Sequence, residues 1–336
     1  MNPILAFESS CDDTSVAIVD DGYEVICNLV STQADHADFG GVLPELASRL
    51  HLQNILHLTE AALRKSGLKK EDISALAVSI NPGLIGSLLV GLSFAKSLAW
   101  SWQKPLITVN HMLSHIFANF IEHPWLQPPF LALVVSGGHT ELVHFSTLTD
   151  FKVVGKTLDD AAGETFDKTA KLLGLGFPGG PELDKAAQGG DPAFHHFPRA
   201  LKNRDDLNFS YSGLKTAVLE YLARKDRDFI DAHLHDLAAS IQQAIIDPLI
   251  GKTLKYARQQ GLETILLAGG VAANSALRKQ IREAAEAQGA CVYIPAQQFC
   301  VDNAAMVGAA ALPKLKEGKF SSLDVNAFSA KGTKTL

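Results

Sequence analysis

The chain predicts an α/β fold in which a βββαβα unit occurs twice, and three observations predict it. Short apolar runs at 3–9, 14–19 and 23–30, separated by Ser9–Asp13 and by Asp20-Asp21-Gly22, read as a meander of three antiparallel strands. The same grammar restarts at Phe130, with Phe130–Val135, the turn Ser136-Gly137-Gly138 and a returning strand over His139–Phe145. Between and after these meanders, helical stripes alternate with short β runs, the pattern of parallel strands with crossover helices.

In order along the first unit, Pro44 opens a helix whose apolar stripe runs through Leu46, Leu50, Ile55, Leu58, Ala62 and Leu63 and stops at Gly67. A strand at Ala75–Val78, the loop Asn81-Pro82-Gly83, a helix to about Trp102 and a short buried strand over Lys104–Val109 follow. The second unit carries a long insertion at about 157–208, with a helical stretch Ala161–Leu173 and a turn at Phe177–Pro181. Helices near Gly213–Arg224 and Phe229–Gln259, a strand Thr264–Leu267, a helix from about Asn274, a strand Cys291–Ile294 and a last helix from Asp302 complete the pattern. The expected domains are residues 1–126 with the C-terminal helix at about 302–330, and residues 127–301.

Composition narrows the function classes. With 336 residues, 47% of them hydrophobic, the chain can bury a large core. Thirty Lys+Arg against 36 Asp+Glu give a net charge of -6, so no global basic field advertises nucleic acid; RNA contact requires local patches or a helper protein. The cysteines Cys11, Cys27, Cys291 and Cys300 form no CxxC pair and read as reduced cytosolic thiols. The N-terminus lacks the basic start and apolar run of a signal peptide. The greasiest stretch, Gly83–Trp102, is broken by Ser87, Ser93, Lys96 and Ser97 and reads as a buried helix; no membrane partner is expected.

Two features carry chemistry. His111 and His115, four residues apart at the handover from a strand to a helix, aim two imidazoles at one point, the geometry of a metal site. Glu8-Ser9-Ser10-Cys11-Asp12-Asp13-Thr14, Val134-Val135-Ser136-Gly137-Gly138-His139-Thr140 and Leu267–Asn274 each put small or acidic residues at a sharp turn, where backbone amides can approach a phosphate. Two such hairpin turns and a Gly-Gly turn before a helix form the nucleotide cradle of the actin, sugar kinase and heat-shock ATPase superfamily. The expected fold is therefore actin-like, two duplicated domains with a cleft between them. A GxxxxGK[ST] loop is missing and the glycines do not fit GxGxxG, which sets aside P-loop and Rossmann folds.

Further ordered motifs, among them Gly40–Arg49, Asn81–Gly91, Asp159–Glu164, Phe166–Gly174, Pro178-Gly179-Gly180-Pro181 and Phe209–Thr216, give the chain a specific likeness over nearly its whole length. It resembles the universal tRNA threonylcarbamoyladenosine transferases, once labelled glycoproteases, in their bacterial branch. The resemblance implies transfer of a threonylcarbamoyl group from threonylcarbamoyl-AMP to N6 of adenosine 37 in tRNAs reading ANN codons. It implies one divalent metal ion on His111, His115 and Asp302, with Fe(2+) expected and Zn(2+) the alternative. It also places the nucleotide part of the substrate against Val134, Val135, Ser136, Gly137, Gly138, Asp167, Gly180, Asp184 and Asn274. The implied partners are tRNA, an inactive paralogue subunit and a small P-loop ATPase, in the cytoplasm.

Plainer roles stand beside these. Asp167 could cap or pair with Lys171, and Asp302 and Asn274 could N-cap the helices they precede. Asp12 or Asp13 is the expected general base. Two departures from the bacterial pattern stand out: Leu113 and Ser114 lie where an acid usually separates the histidines, and Asp13 replaces a Glu. A sugar-kinase-type phosphotransferase and a non-catalytic subunit of the same pathway are the competing readings. A zinc protease would need Glu directly after the first His, where Met112 stands.

Overall fold

The computed structural model describes residues 2–33, 36, 41–201 and 206–329. Gly40 of the Gly40–Arg49 motif, residues 202–205 of the insertion and residue 330, the end of the expected C-terminal helix, lie outside them. The chain divides into two compact units, residues 1–126 with 295–336, and residues 127–294. The division falls at Ile294/Pro295 and not at 301/302, because the segment after Pro295 is tied to the first unit: the Ala296 amide donates to Glu122 Oε2 at 2.7 Å.

The first unit holds strands β1 (Ile4–Glu8), β2 (Asp13–Val19) and β3 (Val25–Thr32), helix α1 (Pro44–Ser66), β4 (Ala75–Asn81), α2 (Ile85–Trp102), β5 (Leu106–Asn110) and α3 (His111–Glu122). Its five-stranded sheet has the order β3-β2-β1-β4-β5, with the meander antiparallel and β4 and β5 parallel to β1. Strand β1 is buried at every position, which requires cover on both faces of the sheet. Leu5, Phe7, Val16, Ile18 and Val78 pack with Ile55 and Ala62 of α1 and Leu92 and Ala95 of α2 in one core cluster. The stretch expected to be a buried helix forms α2, which buries one face while Ile85, Leu89 and Trp100 are exposed.

The second unit holds β6 (Phe130–Val135), β7 (Thr140–Phe145), β8 (Phe151–Lys156), α4 (Ala162–Leu172), α5 (Gly179–Ala186), α6 (Ser212–Leu222), α7 (Arg227–Ala232), α8 (Leu234–Gln260), β9 (Thr264–Ala268), α9 (Ser275–Glu286) and β10 (Cys291–Tyr293). Its sheet order, β10-β9-β6-β7-β8, repeats the order and strand directions of the first. The edge strand β8 escapes the sequence pattern because it is largely half-buried or exposed, with a single buried position, so it presents no apolar run. The insertion leaves and returns at one point, where Thr157 bridges Phe209. Two elements, α10 (Gln297–Cys300) and α11 (Ala304–Lys316), then return to the first unit, where α11 packs on α3, β1 and β2.

Local expectations fail where a distant side chain intervenes. The helix expected over 229–259 breaks at His233, whose ring stacks on Phe194 of the insertion at 4.9 Å. The expected turn at Phe177–Pro181 is instead the start of α5. Asp167 Oδ1 on α4 accepts from the Gly179 and Gly180 amides at 2.9 and 3.1 Å, which supplies the cap the local sequence lacks.

Candidate functional site

Strand β5 ends directly in α3, and Asn110 at the junction caps the helix by accepting from the Met112 and Leu113 amides at 2.9 and 3.1 Å. His111 and His115 thus stand one turn apart on the same face, ring centroids 4.8 Å apart. Asp302 arrives from the other end of the chain, in the link between α10 and α11. Its Oδ1 lies 3.4 Å from His111 Nε2 and 3.1 Å from His115 Nε2. Asp302 does not cap α11: Asn303 does, accepting from the Met306 amide at 3.0 Å, which leaves the Asp302 carboxylate to the histidines.

The donor atoms of His111, His115 and Asp302 lie within 4.8 Å of one another, and this donor set of two imidazoles and a carboxylate fits a divalent cation with coordination positions left over. Burial of these groups is electrostatically tense. Burial alone would raise the Asp302 carboxyl, but His111 and His115 hold it well below the usual carboxylate range. Burial opposes charge on His111 too, yet Asp302 and Glu8 raise it well above an ordinary imidazole.

Glu8 is the residue sequence reasoning missed. It ends β1 fully buried; its Oε2 lies 3.1 Å from His111 Nδ1 and accepts from Ser79 Oγ at 2.6 Å, and its Oε1 accepts from the Ser10 amide at 2.6 Å. The available signal was an acid closing an otherwise apolar strand, a position that stays buried only if paired. His51 was missed as well: buried on α1, it is bonded to Thr14 Oγ1 at 2.8 Å and to the Cys11 carbonyl at 2.9 Å, so it braces both ends of the Cys11–Asp13 turn. In that turn Asp12 and Asp13 are partly buried, and Asp13 Oδ1 is buried without a hydrogen-bond partner among the described residues. Burial pushes the Asp13 carboxyl up to about 7, helped by Asp302, Asp12 and Glu8 and opposed by a hydrogen bond to Thr32.

Between the histidines, Leu113 is buried and Ser114 Oγ donates back to the Asn110 carbonyl at 3.1 Å, so α3 supplies no acid here. All four cysteines are free thiols.

In the second unit the expected nucleotide residues are drawn together by close backbone approaches and by α5. Val134 and Val135 end β6, buried; the Ser136 amide closes the hairpin on the His139 carbonyl at 2.8 Å and is spent there, while Gly137 and Gly138 are exposed. Gly163 lets α4 abut this turn: a Cβ there would meet the Ser136 carbonyl oxygen at 2.5 Å. Gly269, at φ 89°, passes the Val135 carbonyl in the same way, a Cβ meeting it at 2.4 Å. Asp167 holds Gly180 as described, and Asp184 accepts from the Ser275 amide at 3.0 Å and from its hydroxyl at 2.8 Å. Asn274 N-caps α9 through the Leu277 amide at 2.9 Å and donates to Gln242 Oε1 at 2.7 Å, so the capping role is realised.

Comparison with known proteins agrees with this geometry. The family model described as TsaD, tRNA N6-adenosine threonylcarbamoyltransferase, matches residues 24–309. Proteins of that name from Kosmotoga olearia and Moorella thermoacetica are 50% and 49% identical, over 96% of this chain and 97% and 95% of theirs. Among solved structures, component A of the Acidaminococcus fermentans (R)-2-hydroxyglutaryl-CoA dehydratase superposes with a TM-score of 0.56 at 16% identity, covering 94% of this chain and 99% of that one. HypF from T. kodakarensis gives 0.65 at 15% identity, over 95% of this chain and 48% of its own. At such identities these structures speak for the actin-like fold alone. The sugar-kinase and scaffold readings give way: the chain belongs to the tRNA N6-adenosine threonylcarbamoyltransferases and makes N6-threonylcarbamoyladenosine by threonylcarbamoyl transfer to tRNA.

Proposed function

We propose that the transfer is metal-dependent, draws on threonylcarbamoyl-AMP, and modifies N6 of adenosine 37 in tRNAs reading ANN codons. The observation that carries this reading is the convergence of His111, His115 and Asp302, three donors from segments far apart in sequence, within 4.8 Å. They would hold one divalent cation, iron by family resemblance, with zinc accepted by the same donors. When bound, the ion supplies Lewis acidity toward the carbonyl or phosphate oxygen of the mixed anhydride.

The chain's own residues supply the rest. An exocyclic adenine amine is a weak nucleophile that must be positioned and must lose a proton. Of the two candidate bases we assign Asp13, whose partly buried carboxyl is raised to about 7, a value suited to taking up that proton near neutrality. The exposed Gly137 and Gly138 amides take the donor phosphate, the Ser136 amide being spent in its turn. Asp167, Gly180, Asp184 and Asn274 shape the nucleoside pocket around α5. Acceptance of tRNA by a chain of charge -6 fits shared binding with an inactive paralogue and a small P-loop ATPase, and the family's setting is the cytoplasm. No helix among the described residues is long and apolar enough to cross a membrane. The repeated sheet topology fits an internal duplication.

The test is nucleoside mass spectrometry of an unmodified ANN-decoding tRNA incubated with this chain, the two partner proteins and threonylcarbamoyl-AMP. A threonylcarbamoyl mass gain on adenosine is expected, and it should vanish with a His111→Ala, His115→Ala double variant. Full activity in that variant would remove the metal centre from the mechanism.

A further inference from the structure

We infer that Glu8, which is not among the three converging donors, is a positioning residue that fixes His111 with Nδ1–H toward its own carboxylate and Nε2 toward the metal position. The inference rests on the metal reading above and concerns how the site is prepared.

His111 has two polar neighbours at Nδ1, Glu8 Oε2 at 3.1 Å and Ser10 Oγ at 3.2 Å. They favour opposite tautomers. A serine hydroxyl can donate to a bare Nδ1, which leaves the proton on Nε2 and blocks that nitrogen as a ligand. An ionised carboxylate only accepts, so it keeps a proton on Nδ1 and leaves Nε2, the nitrogen that faces Asp302, as the one that gives up its proton to a cation. The surroundings of Glu8 fix it in that accepting role. Oε1 is held by the Ser10 amide and Oε2 by Ser79 Oγ, each at 2.6 Å, so the side chain has no freedom to turn away.

His115 has no such device. Its Nδ1 is buried with no hydrogen-bond partner among the described residues, so its orientation rests on packing and on Asp302 alone. The interior of α3 offers no acid either, since Leu113 and Ser114 lie between the histidines. The only carboxylate hydrogen-bonded to either histidine's Nδ1 among the described residues is therefore that of Glu8, supplied by the first strand.

Glu8→Gln discriminates, because an amide cannot satisfy the same pattern. Its oxygen must take the Oε1 place to accept from the Ser10 amide, which puts the NH2 opposite His111 Nδ1 and forces that nitrogen to accept. The proton moves to Nε2. We would titrate the chelated full chain with Co(2+) against a competing chelator, following the d–d absorption of the bound ion. Expected are a dissociation constant raised about 10- to 100-fold in Glu8→Gln, in line with losses at other metal-supporting partners, and no site in His115→Ala. Ser10→Ala should stay within about twofold of wild type, since the hydroxyl is not the group that sets the tautomer.

Wild-type affinity in a folded Glu8→Gln, alongside loss in His115→Ala, overturns the role of Glu8 while leaving the metal centre intact. A loss in Ser10→Ala equal to that in Glu8→Gln also overturns it. Failure of the wild type to bind Co(2+) overturns the metal reading and this inference together. If Glu8→Gln does not fold, Glu8→Asp decides: it keeps the acceptor but shortens its reach, so weaker binding by about threefold or more is expected, and unchanged binding refutes the role.

Discussion

At the scale of single residues, Asp13 carries the sharpest consequence. Its carboxyl, raised by burial to about 7 from 3.8, is poised to take a proton near neutrality. A bound cation nearby can only lower that value, so activity should rise with pH along a limb at or below about 7. Asp13→Asn should remove the limb and most of the turnover; a pH–rate profile of single-turnover transfer checks both. The same shift opposes folding. A carboxyl easier to protonate in the folded state contributes stability below its unfolded value of 3.8 and loses it as pH climbs through about 7. In chelated protein Asp13→Asn should therefore raise the melting temperature at pH 8 and make little difference at pH 3.5. Equal melting temperatures at both would mean that the burial of Asp13 carries no cost. Glu8 shows why such residues hide in sequence: a single acid at the end of an apolar strand gives no pattern, and only β4 and α3 beside it reveal Ser79 and His111 as its partners.

At the scale of elements, helix ends set the chemistry. Asn110 satisfies two otherwise orphan amides of α3 and so fixes the turn that presents His111. Asn110→Ala should cost about 1–2 kcal/mol in a urea melt and should also weaken Co(2+) binding, because the frayed turn is the one carrying a ligand. Loss of stability with unchanged metal affinity would show that the histidine pair is positioned by packing alone. At α5 the cap comes from another element, Asp167 of α4. Asp167→Ala should free the Gly179 and Gly180 amides and loosen the nucleoside pocket. The expected outcome is a higher KM for threonylcarbamoyl-AMP with a smaller change in kcat.

At the scale of the whole molecule, the candidate metal donors belong to one unit and the residues proposed for the nucleotide to the other, each unit built on a five-stranded sheet of the same order. The metal position bridges α3 and the start of α11, so cation binding should stabilise the first unit as a body. Saturation at a hundredfold excess over the dissociation constant contributes about 2.7 kcal/mol. Differential scanning calorimetry should show a transition that moves up with metal in the wild type and stays fixed in Asp302→Ala. A metal-dependent shift of the same size in that variant would place the binding elsewhere.

The sequence by itself determined what is written in local periodicity and capping. The first meander, the opening hairpin of the second, α1 between Pro44 and Gly67, the break from β5 to α3 and the four-residue spacing of His111 and His115 all follow from strand alternation and helix pitch. The ordered motifs also determined the family, because their side chains and glycines recur in a fixed order along the chain. Only the tertiary structure decided which distant groups meet. It assigned capping of α11 to Asn303 and left Asp302 to the histidines, turned Phe177–Pro181 from a turn into a helix start, broke the long helix at His233, and brought Glu8 against His111. The physical reason is that these contacts join segments whose separation along the chain carries no period. They are fixed by the order of strands in each sheet and by the helices packed upon it, and each is held by a buried polar group that must find its partner.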